Sequence, residues 1–155
     1  MVKIKIDFFS EKIIDAISAG IYQVSVIHNG KEEILYIGES VFVLVRCGAH
    51  LFELKKNPGY FGFNNETINN EKIILKFKLL ETVDNKVDRK HQEKELIQEK
   101  NPILQSGISD RMKPVEEKIQ ALTIFLKGTA INGREKSGNC SLCSLEHRKC
   151  NQTGE

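Results

Sequence analysis

The chain has 155 residues, 40% of them hydrophobic and 28% charged, which suits one compact domain with a short appendage and excludes wholesale disorder. It has no apolar run long enough to span a bilayer and no basic-then-apolar leader, so a soluble, cytoplasmic protein with no membrane partner is expected. The net charge of +2 hides no basic body: residues 1–112 carry 16 Lys/Arg against 16 Asp/Glu, and residues 113–155 carry 7 against 5, so charge alone makes no case for nucleic acid.

In chain order, Ser10 followed by residues 11–17 reads as a short helix ended by Gly20. Residues 21–27 and 33–37 are β-branched, largely alternating runs separated by Asn29-Gly30, which predicts an antiparallel hairpin. Residues 40–54 read as a helix capped by Ser40. Residues 55–70, rich in Gly, Asn and aromatics, read as a long loop whose aromatic stretch 58–63 could wedge into DNA but more naturally anchors the loop by burying Phe61 and Phe63. Residues 72–80 form a third strand. A charged helix over 88–100 follows, with Leu96 and Ile97 on its inner face, stopped at Asn101-Pro102. Pro114 opens a last helix, with Val115, Ile119, Leu122 and Leu126 in helical register, ended by Gly128. The expected architecture is α+β, a small three-stranded, mainly antiparallel sheet flanked by helices.

Five polar residues recur on these elements at telling positions. Gly20-Ile21-Tyr22 opens the first strand, and Tyr36-Ile37-Gly38 lies on the second. Arg46 comes ten positions after Tyr36, and His50 follows at i+4, on the same helical face. Glu93, with Leu96, Ile97 and Pro102 behind it, completes the series. Taken singly, the tyrosines read as half-buried strand residues and Glu93 as part of a solvated charged face with Lys90, Lys94 and Glu95.

As an ordered set, the series resembles the GIY-YIG nuclease family over roughly residues 18–105. The resemblance implies a GIY-YIG domain over 1–128 and metal-assisted hydrolysis of DNA phosphodiester bonds. In that reading Glu93 holds Mg²⁺ or Mn²⁺, Arg46 grips the scissile phosphate, and Tyr22 is the general base or orients the attacking water. Tyr36 orients water or phosphate, and His50 relays the proton from Tyr22. A tyrosine near its ordinary pKa of about 10 needs a nearby cation for such work. Gly38 and Gln105 would be supporting residues. Gln105 stands where many members have asparagine, the spacer 23–35 is slightly long, and Val41–Val45 is apolar where a basic stretch is usual. An inactive DNA-binding or regulatory protein is the alternative. One site cuts one strand, so double-strand cleavage would call for a homodimer.

Residues 129–155 are expected to form a flexible tail. In it Cys140, Cys143, His147 and Cys150 offer four Zn²⁺-type ligands, which would make a zinc-dependent interaction module a third reading. Cys47 reads as a small packing residue.

Overall fold

A computed structural model describes residues 1–107 and 111–128. The chain begins with strand β1 (Lys5–Phe8) and a 3₁₀ turn at Asp15–Ile17, then forms β2 (Gly20–His28), β3 (Lys31–Ser40) and helix α1 (Val43–Lys56). Two 3₁₀ turns, Pro58–Phe61 and Thr67–Asn69, lead to β4 (Ile74–Thr82) and α2 (Lys86–Lys100). A last helix, α3, spans 115–128. The class is α+β as expected, but the sheet has four strands in the order β1-β4-β2-β3. Strands β3, β2 and β4 are the antiparallel unit read from the sequence, and β1 joins β4 in parallel, Lys5 beside Ile74. Four residues whose partner lies beyond the hairpin and α1 carry no local signal. Buried Ile4 and Phe9 at either end hold β1 in place.

Asn29 and Gly30 both take positive φ, 52° and 74°, which gives the two-residue turn the twist that β2 and β3 require. The expected helix at 10–17 shrinks to one 3₁₀ turn. Of its apolar residues only Ala16 is buried, while Ile13, Ile14 and Ile17 stay exposed, so no packed face rewards a longer helix. Ser40 does not cap α1. It ends β3, and its Oγ accepts a hydrogen bond from the Phe42 N–H at 3.0 Å, turning the chain before the helix starts at Val43. Asn85 is a genuine cap, its Oδ1 accepting from the Val87 and Asp88 N–H groups, so α2 begins at Lys86.

Alternation along the strands divides the sheet into two faces. Tyr22, Val24, Val26, Leu35 and Tyr36 join Val43, Cys47 and Leu54 of α1 and Phe61 and Phe63 in the larger core. Ile21 and Ile37, which flank the tyrosines, point the other way and are covered by Ile97 of α2. The outer edge of β3 is sealed by the segment after α2. There the Ile103 and Leu104 N–H groups donate to the Ile34 and Leu35 carbonyls at 3.0 and 3.1 Å, and Gln105 continues the seal. Among the described residues no helix is long and apolar enough to cross a membrane.

Candidate active site

The antiparallel register sets Tyr22 directly opposite Gly38, and Val24 opposite Tyr36. The two tyrosines are therefore diagonal neighbours on one face, their ring centroids 6.1 Å apart. Pairing shifts register at Val24/Ser25 against β3 and at Ile21/Tyr22 against β4, so irregularities flank Tyr22 on both sides. Gly38 makes the arrangement possible. A Cβ there would lie 2.6 Å from the Tyr22 hydroxyl and 2.7 Å from Cε1 of Tyr36, inside both rings.

Helix α1 lowers His50 onto this face. Its Nε2 lies 2.7 Å from the Tyr22 hydroxyl, and the Tyr36 ring centroid is 5.3 Å from the imidazole's. Nδ1 lies 2.7 Å from the hydroxyl of Tyr60, a residue of the loop after α1 that sequence reasoning had not placed in the site. The chain has three tyrosines, and all three surround His50. That scarcity was the available signal. The loop buries Phe61 and Phe63, as expected, and holds Tyr60 in place. The Asn57 Oδ1 accepts from the Gly59 N–H at 3.0 Å, and Lys118 of α3 donates to the Tyr60 carbonyl at 2.7 Å.

Arg46, one turn before His50 and exposed, brings its positive charge to bear on the Tyr22 hydroxyl. Tyr22 is fully buried, and burial, with Tyr36 and Cys47 adding to it, raises its pKa far above the ordinary tyrosine value; the pull of Arg46 is the smaller effect. His50, 2% exposed, goes the other way: burial first, and Arg46 second, lower it to about 4. Arg46 itself is raised, because the tyrosines around it outweigh its partial desolvation. Near pH 7 the cluster is thus a neutral phenol, a neutral imidazole and a permanent cation. The nearby cation that a tyrosinate base would need is present, yet it does not prevail over burial.

Glu93 arrives from the other layer. It is 5% exposed and shares the inward stripe of α2 with Arg89 and Ile97, one turn away on either side. Ile97 packs on Ile21 and Ile37, and Arg89 reaches Glu39, so Glu93 is bracketed by contacts with the residues on both sides of Gly38. Arg89, which the sequence did not single out, is a buried staple. Nε donates to Glu39 Oε2, and Nη1 donates to the Val83 and Asp84 carbonyls, both at 3.1 Å. Burial alone would raise the Glu39 pKa, but Arg89 and Lys90 together hold it below the ordinary glutamate value.

Gln105 is buried, its Oε1 accepting from the Ile37 N–H at 3.0 Å and its Nε2 donating to the Ile37 carbonyl at 2.7 Å. It thereby fixes the backbone between Tyr36 and Gly38. Four of the five expected catalytic residues therefore meet in one cluster, and Glu93 is buried on α2, the helix that covers Ile21 and Ile37 beside the two tyrosines. Among the described residues no group of three or more His, Cys, Asp or Glu is placed to hold a metal ion. Cys140, Cys143, His147 and Cys150 lie outside the described residues. No family model matches the chain, and neither a curated protein nor a solved structure matches it.

Proposed function

We propose that the chain is a GIY-YIG-type endonuclease that hydrolyses phosphodiester bonds in DNA with the help of a divalent cation. The observation that carries this reading is the convergence of Tyr22, Tyr36, Arg46 and His50 on one face of the β2–β3 hairpin. Arg46 presents an exposed guanidinium beside the Tyr22 hydroxyl, suited to gripping a phosphoryl oxygen. Because burial keeps Tyr22 protonated, it acts as a relay instead of a standing tyrosinate. The attacking water gives a proton to the Tyr22 oxygen while Tyr22 passes its own to Nε2 of His50. The water oxygen bonds to phosphorus as the bond to the leaving oxygen breaks, and the leaving oxygen takes a proton from solvent.

Glu93 is the residue that would hold the cation. One carboxylate with a phosphate and several waters is the kind of donor set that Mg²⁺ accepts, and Mn²⁺ would serve as well, so the Glu93 carboxylate fits by its chemistry. When bound, the ion supplies charge for the developing phosphoryl and leaving oxygens.

A second reading, a DNA-binding protein with a silent site, draws support from the burial of Tyr22 and Glu93, which leaves Arg46 as the exposed member of the set. Metal-dependent nicking of plasmid DNA separates the two. The nuclease reading expects nicking that Arg46→Ala and Glu93→Ala abolish; binding without nicking supports the second.

A further inference from the structure

His50 is held at both ring nitrogens, Nε2 by the Tyr22 hydroxyl and Nδ1 by the Tyr60 hydroxyl, each at 2.7 Å. A neutral imidazole has one N–H and one lone pair, so one tyrosine donates to it and the other accepts from it. The two tyrosines differ in what else they can do. Tyr22 is fully buried and its hydroxyl has the His50 nitrogen 2.7 Å away. If His50 donated to the Tyr22 oxygen, the Tyr22 proton would be turned away from that nitrogen, inside a fully buried site. Tyr60 is only half-buried, so it can accept from Nδ1–H and still turn its own proton to water. One tautomer therefore satisfies every group and the other strands a buried donor.

We propose that Tyr60 is a positioning residue whose hydroxyl holds His50 as the Nδ1–H tautomer, leaving the Nε2 lone pair facing the Tyr22 proton. The partner on one ring nitrogen deciding which nitrogen bears the proton is a general property of histidine sites. The backbone around Tyr60 suits the task. Phe61 is buried beside it, and the Lys118 ammonium donates to its carbonyl and sits 5.2 Å from its ring centroid. The loop 57–61 thus presents a fixed hydroxyl to His50. The consequence for catalysis rests on the nuclease reading: the acceptor for the Tyr22 proton is set before substrate arrives. The tautomer itself does not depend on that reading.

The test is nitrogen NMR of the ¹⁵N-histidine-labelled full chain near pH 7, with His50 assigned by His50→Gln. Wild type should show His50 neutral with its proton on Nδ1. Tyr60→Phe should move that proton wholly or partly to Nε2 while the backbone amide spectrum remains that of the folded chain. Tyr22→Phe should leave it on Nδ1. A proton on Nε2 in the wild type overturns the proposal, whether or not Tyr60→Phe folds, and so does an unchanged tautomer in folded Tyr60→Phe. Absence of nuclease activity would sink the functional reading and leave this result standing. Where cleavage is seen, Tyr60→Phe should lower kcat about 10- to 100-fold with KM unchanged; a change confined to KM contradicts the assigned role.

Discussion

Gln105 pairs with Ile37 as a neighbouring strand would, its amide matching both the N–H and the C=O of that one residue at 3.0 and 2.7 Å. An edge strand is thereby closed next to Tyr36 by a side chain. Gln105→Ala leaves two buried backbone groups unpaired and should cost about 3 kcal/mol in urea unfolding. Gln105→Asn keeps the amide but is one methylene shorter, and should recover less than half of that loss.

Gly38 sits where the two tyrosine rings need an empty position. Gly38→Ala should leave a folded protein with displaced rings and cleavage reduced by about 100-fold, the scale of an ångström-sized misplacement in an active site. Circular dichroism beside a cleavage assay checks both halves of the prediction.

Much of this was legible. The strand runs and Asn29-Gly30 gave the hairpin, and the i, i+4 spacing of Arg46 and His50 put both against it. What stayed hidden depends on distant partners. β1 is four residues paired across the chain, Arg89 looks like any surface arginine in a charged helix until Glu39 is placed beneath it, and Tyr60 meets His50 only after the loop folds back. Ser40 misled because the same hydroxyl that caps helices also closes a turn two residues ahead.

Arg89 should matter more than a surface charge. Arg89→Leu strips Glu39 of its main partner and the Val83 and Asp84 carbonyls of their donor. The expected loss is about 3 kcal/mol, the low end for breaking a buried pair, because Lys90 remains 3.5 Å from Glu39. Urea unfolding of both proteins measures it.

Stability should fall in mild acid through His50. Its folded pKa of about 4 lies below the unfolded value of 6.5, so between those limits the unfolded chain binds more protons. The contribution is fully present above pH 6.5 and is lost as pH drops toward 4, on the order of 3 kcal/mol in all. His28, also lowered by burial and by Lys72, acts in the same direction. The Glu39 contribution, with its pKa held low, fades only at more acid pH. The difference between wild type and His50→Gln therefore isolates His50: the variant's stability should vary less between pH 7 and 4.5.

The most direct measurement is incubation of the full chain with supercoiled plasmid in Mg²⁺ or Mn²⁺, read on a gel. Conversion to nicked circles is expected, stopping with a chelator and lost in Tyr22→Phe, Arg46→Ala and Glu93→Gln. Plasmid left intact by the wild type across metals and salt, or cleavage that survives Arg46→Ala and Glu93→Gln, would contradict the nuclease reading.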